Sequence, residues 1–435
     1  MRKASLLLVF PALLLLETSS LVRAQEGSTR SDSPSRPAAR MLEVHGFLLG
    51  IVSGRTSGLR PKEESSDFVL GEERLRLDVS GESPSGEAGV LAKGDVFHDA
   101  LEGEVDVDLR EAQVNYAYGP LDFRFGRQIA TWGIGDLFFI GDVFPKDWES
   151  FFSGRPIEYL KLGVDGLRAR YSAASINAEA LAVPFFTADR LPPADRFFFF
   201  DPFSVVTSQQ EEKPNRRFSN TELALRLYRQ LAGLEASVIL YRGFWRMPAA
   251  RADDTTAPTN VTRFFPRLSV YAASVQRSFL GGVLGCEAGY YDSRQDRVGK
   301  DPAIPNSQWR FLAADQRQPW EDFTVVTQLY GEVMNHYGSY SASRPPQSPR
   351  DDRLRSVVSA RLTQLLDYQT WKLGLFAAYS PTDDDYFLQP EASRRVTDEI
   401  GVSLGANLFG GRSSKTFFGQ FEKSDNMFVS VRFDF

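Results

Sequence analysis

The last nine residues, Met427 to Phe435, read MFVSVRFDF. Met427, Val429, Val431, Phe433 and Phe435 share one face of a strand, and Phe428, Ser430, Arg432 and Asp434 share the other. Side chains alternate between the faces of a strand, so strict period-two patterning predicts one apolar and one polar surface. The chain stops on the apolar face, on an aromatic ring. Ends of soluble domains are usually frayed and polar. This end needs apolar cover along a whole strand.

The same alternation recurs upstream. Leu75, Leu77 and Val79 alternate with Arg74, Arg76 and Asp78, and Leu354, Ser356, Val358, Ala360 and Leu362 alternate with Arg355, Val357, Ser359 and Arg361. No apolar run beyond the first residues is long enough for a spanning helix, which needs ~20 residues. A chain without such helices can still cross hydrocarbon as a closed β-barrel, because closure pairs every backbone group. The pattern predicts an all-β fold: a transmembrane antiparallel β-barrel in which the terminal strand pairs with the first, faces lipid and sets an aromatic in the interfacial girdle.

Strands are predicted near 43–54, 71–80, 87–97, 104–118, 121–131, 161–172, 175–185, 217–229, 233–246, 264–279, 282–293, 307–314, 321–335, 352–366, 370–380, 396–409, 414–423 and 426–435. That is eighteen; the weak 307–314 segment leaves sixteen as the alternative. Tight connections such as Tyr118-Gly119-Pro120 and Asp367-Tyr368-Gln369 read as periplasmic turns. Long ones near 55–70, 132–160, 186–216, 247–263, 294–306, 336–351 and 381–395 read as extracellular loops. The parity of 104–118 switches between Leu109 and Ala112, which predicts a β-bulge near Arg110-Glu111.

Arg2 and Lys3, an apolar run from Leu6 to Leu16 and Val22-Arg23-Ala24 read as a secretory signal peptide over 1–24. Residues 25–40 are rich in Ser, Pro, Arg and Ala and read as a disordered periplasmic lead-in to a barrel over 41–435. Loss of 1–24, with Arg2, Lys3, Arg23 and Glu17, takes the formal net charge from −6 to −8. That acidic balance argues against nucleic acid as a partner. The single cysteine, Cys286, excludes an intramolecular disulfide and the paired-cysteine metal and haem motifs. His45, His98 and His336 are scattered, with no matched nucleophile or clustered ligands, so neither an enzyme nor a metal or other cofactor is expected.

If apolar residues face lipid, the alternate residues line the interior, since Arg or Lys facing hydrocarbon costs ~2–4 kcal/mol. Pore-lining candidates are Arg74, Arg76, Asp106, Asp108, Asp122, Arg124, Arg168, Arg170, Arg226 and Arg355. Arg124, Arg168 and Arg170 are expected to form a basic ladder, with Asp106, Asp108 and Asp122 as an opposing acidic one. Opposed rows would set up a transverse field that orients a polar solute; the same ions could instead stiffen the wall. Phe197 to Phe200 lie in the 186–216 loop, either packing it into the mouth or offering an apolar landing surface.

Residues 121–133 read LDFRFGRQIATWG, followed by Asp136, Asp142, Pro145, Lys146, Asp147 and Trp148. A strand ending Gly126-Arg127-Gln128, then Trp132-Gly133, then an acidic, proline-containing loop resembles a group of uncharacterised porin-like outer-membrane β-barrels of Gram-negative bacteria. The likeness is best over 104–172 and looser over 307–334. It implies that the loop carrying Trp132, Gly133, Asp136, Asp142 and Asp147 folds inward as a constriction loop, with Asp136 and Asp142 meeting wall arginines such as Arg124 and Arg168. It also implies that Phe433 and Phe435 belong to the signal read by the barrel-assembly machinery. The expected setting is the bacterial outer membrane, with its lipid and a small-molecule solute as partners. The function expected is a porin-like channel for passive or substrate-selective diffusion. Alternatives are an exporter of hydrophobic or acidic polymeric substrates and a barrel that displays surface loops. The sequence leaves the solute and the oligomeric state open.

Overall fold

The computed structural model describes residues 42–254, 257–344 and 350–435. Eighteen strands form one sheet: β1 (Glu43–Arg55), β2 (Phe68–Glu82), β3 (Ala88–Asp99), β4 (Glu104–Tyr118), β5 (Leu121–Gln128), β6 (Val164–Ser172), β7 (Asn177–Val183), β8 (Glu222–Leu231), β9 (Leu234–Phe244), β10 (Arg267–Phe279), β11 (Gly282–Ser293), β12 (Gln308–Trp320), β13 (Phe323–Met334), β14 (Leu354–Leu366), β15 (Trp371–Ser380), β16 (Asp385–Arg395), β17 (Ile400–Gly411) and β18 (Asn426–Asp434). Each pairs antiparallel with the strand before it, and β1 pairs with β18 from Phe47 opposite Asp434 to Arg55 opposite Asn426. The sheet is therefore a closed barrel with no free edge. The predicted leader over 1–24 and lead-in over 25–40 fall outside the described residues.

Period-two patterning decides which side chains point where. Leu48, Val52, Leu77, Val96, Val107, Val114, Leu167, Val238, Leu329, Val358, Leu404, Val429 and Val431 stand exposed on the outer face. Exposed apolar area that encircles a barrel is the surface hydrocarbon covers. Outward aromatics gather at two levels: Tyr116, Tyr171, Phe279, Trp320 and Phe433 near one rim, Tyr271, Trp309, Tyr379 and Tyr386 near the other. These are the two interfacial girdles of a spanning barrel. Every turn on the first rim is short, from 119–120 to 83–87, whereas the second rim carries 129–163 and 184–221.

Two expected elements are corrected. Residues 414–423 do not form a strand; Gly419–Ser424 is a 3-10 turn, and Phe417, Phe418 and Phe421 pack inward. Residues 381–395 are not a long loop: a turn over 381–384 leads into β16. Pro390 hides that strand in the sequence, since it lacks an N–H; pairing with β17 stops at Leu388 and resumes at Glu391. The two misreadings offset one another in the count. The weak 307–314 segment is the start of β12, which runs on to Trp320. Three short strands, Ser208–Glu212, Ala249–Ala252 and Asn260–Phe264, add an unexpected small sheet among the long loops.

The β4 bulge lies where parity placed it. Lys93 pairs with Glu111 and Gly94 with Leu109, so Arg110 is the extra residue. The bulge turns Arg110 and Glu111 both toward the interior. Arg110 Nη2 donates to the carbonyls of Glu158 (2.7 Å) and Lys161 (3.0 Å), which belong to the loop between β5 and β6.

Candidate functional site

That loop, residues 129–163, leaves the wall and crosses the interior. Its stem is fixed by the residues of the Gly-Arg-Gln and Trp-Gly motifs. Gln128 is fully buried and its amide donates to the carbonyl of Gly166 (3.3 Å). The Trp132 indole N–H donates to Glu179 of β7 (2.6 Å) and the ring meets Phe144 edge-on at 5.1 Å. Gly133 has φ of +79°, a left-handed turn that a Cβ would strain.

The far end of the loop reaches the opposite wall. Glu287 of β11 accepts the backbone N–H of Ile134 (3.1 Å) and of Gly141 (2.9 Å). Gln328 of β13 accepts from the N–H of Asp136 (3.4 Å), and the Asp136 carboxylate pairs with Arg361 of β14 at 2.6 Å. Glycines flank Glu287 on its inward face to make room. A Cβ on Gly285 would sit 2.9 Å from Ile134, and one on Gly289 2.5 Å from Ile140.

On its return the loop forms a short helix, α1 (Trp148–Ser153). Asp147 caps it, accepting the Ser150 N–H at 2.8 Å, and pairs with Arg190 at 2.8 Å. Phe151 packs on Phe387 at 5.5 Å, and Phe152 on Phe409 at 5.2 Å and Phe421 at 5.0 Å. Phe197, from the 184–221 loop, is buried against the same cluster, 6.3 Å from Phe421. The Phe197–Phe200 run thus packs its first ring into the mouth.

Below α1 the loop is bound to β2 and β3 by buried ions. Arg155 pairs with Glu72 at 2.8 Å; Glu72 pairs with Arg74 at 2.6 Å; Arg74 pairs with Asp95 at 2.8 Å. Asp95 also holds Arg76, whose Nη2 donates to the Tyr159 hydroxyl at 2.9 Å. Tyr159 is only 1% exposed, with the guanidiniums of Arg74, Arg76 and Arg110 over its ring at 4.7, 5.1 and 4.8 Å. Burial pushes its hydroxyl well above the ordinary phenol range, so it stays a neutral acceptor for Arg76.

Parity puts Arg74 and Arg76 on the pore surface; the structure buries both under the loop instead, where they serve as its floor. The basic residues of the next wall do come together. Arg124 lies opposite Arg168, and Arg170 lies opposite both Asp122 and Glu179. Glu179 also lies opposite Arg226, which pairs with Glu235 at 3.1 Å. The opposing acidic ladder does not form. Asp122 sits beside the 119–120 turn, while Asp106 and Asp108 sit at the far end of β4, with Asp108 opposite Asp95. Hairpin register sets that separation. Arg355 points inward near the long-loop rim and pairs with Asp383 at 2.8 Å.

The partners expected for the loop also differ. Asp136 meets Arg361, and Asp142 meets Lys146 and Lys161, both at 3.0 Å, not Arg124 or Arg168. Asp136 reaches the far wall because the loop crosses the bore, whereas Asp142 is held by two lysines of the loop itself. The sequence reading did not single out Glu287, Tyr159 or Glu72. A usable signal existed for Glu287: an inward carboxylate between inward glycines marks a place where backbone from elsewhere lies against the sheet.

Above the loop, on the long-loop side, a cavity of about 420 Å³ is lined by Phe139, Trp148, Phe376, Phe417, Arg310 and Arg355, among others. Below it, the inward side chains toward the short-turn rim are charged: Arg124, Arg170, Arg226 and Asp122 on one wall, Arg432 and Asp434 on another.

The sequence matches no protein-family model and no curated protein. Among solved structures, Pseudomonas aeruginosa OccK11 (OpdR) aligns with a TM-score of 0.51 at 8% identity, over 90% of this chain and 95% of that one. Salmonella typhi OmpF in complex with daunomycin aligns with a TM-score of 0.42 at 9% identity, over 91% and 97%. A mutant of Rh. blastica porin aligns with a TM-score of 0.40 at 11% identity, over 91% and 100%. The likeness to OccK11 is one of fold: this chain is a porin-like, eighteen-strand antiparallel β-barrel.

Proposed function

We propose that the chain is an outer-membrane channel for the passive or substrate-selective diffusion of small polar solutes. Both described ends lie on the short-turn, periplasmic rim in this reading, and the long loops face outside. The observation that carries it is the loop over 129–163: it narrows the bore without detaching from it, pinned to β7, to β11–β14 and to β2–β4. A solute entering from outside meets the aromatic and arginine-lined cavity first. It then passes the loop and the basic wall of Arg124, Arg168, Arg170 and Arg226. Arg168 pairs with Glu179 at 2.7 Å and Arg226 with Glu235 at 3.1 Å, which leaves Arg124 and Arg170 as the less neutralised cations of this wall. They raise the local concentration of anions, so the expected preference is for anionic solutes. The exporter reading draws less support, because the first ring of the Phe197–Phe200 run is buried in packing.

The test is planar-bilayer recording of refolded protein under a salt gradient. Discrete conductance steps are expected, with a reversal potential showing anion preference. Arg124→Ala, Arg168→Ala and Arg170→Ala combined should shift that potential toward cation selectivity. Absence of steps at every voltage and salt concentration removes the channel reading; an unmoved reversal potential removes the pore-lining role of these arginines.

A further inference from the structure

Four arginines stand together outside the barrel, where strands meet the long loops: Arg242 in β9, Arg267 in β10, and Arg294 and Arg297 just after β11. Strand pairing assembles them. Arg242 lies opposite Ser269, Ser269 lies opposite Asp292, and the Arg294 N–H donates to the Arg267 carbonyl at 3.0 Å. Arg242 continues the outward row of Val238 and Leu240, so its side chain leaves the sheet on the lipid side. One neighbouring carboxylate, Asp292, serves the group, and Arg297 occupies it through two bonds of 2.9 and 2.8 Å. Among the described residues, Arg242, Arg267 and Arg294 have no ion-pair partner. Arg294 donates to the Gly243 carbonyl at 3.0 Å, its Nε has no acceptor, and Arg242 and Arg267 both repel it.

Such a surplus of positive charge is unfavourable unless an anion joins it. Its position says which kind. The outward row Tyr271–Tyr290–Trp309 runs one strand-pair below, the aromatic level of this rim. The arginines are therefore at headgroup height. Beside them the outer face dips into a groove of Ala169, Ala180 and Ala182, flanked by Leu223, Leu240 and Tyr271. Ala182 pairs with Leu223, and Leu223 with Arg242, so groove and arginines are continuous along one row.

We infer that this face binds a phosphorylated anionic lipid of the outer leaflet, its phosphate on Arg242, Arg267 and Arg294 and an acyl chain in the alanine groove. Guanidinium forks match phosphate oxygens in pairs. A zwitterionic headgroup fits poorly, because it brings an ammonium to a cluster that lacks anions. The inference rests on the outer-membrane reading above but not on conduction.

The test is native mass spectrometry of the full chain refolded in detergent, titrated with bisphosphorylated lipid A, with dephosphorylated lipid A and with phosphatidylethanolamine. Retention of one bisphosphorylated lipid per chain is expected, with the other two bound at least about tenfold more weakly. The combined Arg242→Ala, Arg267→Ala and Arg294→Ala variant should lose about tenfold in affinity for the phosphorylated lipid, while Arg412→Ala on the same rim is unchanged. Equal binding of the phosphorylated and dephosphorylated lipids overturns the inference with wild-type protein alone. So does equal binding by the triple variant, folding being checked by heat-modifiable migration, or an equal loss in Arg412→Ala. Conductance measured on the same preparations reports separately on the channel reading.

Discussion

Glu149, on α1, shows how burial and charge compete within one side chain. Arg155 and Arg196 each approach it to 3.9 Å, yet burial outweighs them and pushes its carboxyl above the ordinary carboxylate range. The inserted loop therefore holds a proton at Glu149 more tightly than a released loop would, where the group returns to its usual 4.5. Protonation favours insertion: the held state gains stability as pH falls through the raised value and loses it as pH rises. Single-channel traces should show fewer loop openings as pH is lowered from neutral toward 4.5. Glu149→Gln should show fewer openings near neutral pH and a weaker response to pH; a wild-type opening rate that ignores pH, or a variant that responds as steeply as wild type, removes this role. At this scale the sequence was a partial guide. It put Arg124, Arg168 and Arg170 together because parity and neighbouring strands suffice for that. It misplaced Arg74 and Arg76 because parity gives the face of a residue and says nothing of what is laid over it.

The loop over 129–163 is the element that decides the bore. Its contact with the far wall depends on one carboxylate, Glu287, which accepts two backbone N–H groups. Hydrogen bonds to a charged acceptor contribute about 1.5–3 kcal/mol each, so Glu287→Ala should free this end of the loop at a cost of about 3–6 kcal/mol. The expected readout is a larger and noisier unit conductance, with a variant lacking 134–160 larger still. A Glu287→Ala channel with wild-type conductance and noise would show that Arg361 and Gln328 hold the loop unaided. An inward loop was implied only by the resemblance that the residues around Trp132 carry. Its landing point was not, because no local pattern records a partner about 150 residues away in sequence.

At the scale of the whole molecule, the seam between β1 and β18 makes the barrel. Gly46 and Phe435 exchange both backbone hydrogen bonds, each 3.0 Å, and the Phe435 ring lies where a Cβ on Gly46 would be, within 2.7 Å. The ring therefore has a packing role in the seam, and the proposal that it also serves as an assembly signal can be separated from it. Phe435→Ala keeps the backbone bonds. If the ring is read during assembly, the heat-modifiable form should fall several-fold in cells while refolding in detergent changes little. An equal fall in both confines Phe435 to the seam.

Period-two alternation, with no long apolar helix and an apolar aromatic last residue, determined by itself that this chain is a barrel with lipid outside. It also determined most of the alternation of short and long connections and the bulge at Arg110, whereas eighteen strands were reached only because the missed strand Asp385–Arg395 offset the strand expected over 414–423. The alternation and the bulge are local consequences of where side chains point on a strand. Only the tertiary structure decided what fills the bore. Tyr159 among three arginines, Glu287 beneath the loop and the phenylalanines of 417–421 around α1 are contacts between segments far apart in the chain. The fold brings them together by closing the sheet and turning one loop into it, and no periodicity in the sequence encodes that approach.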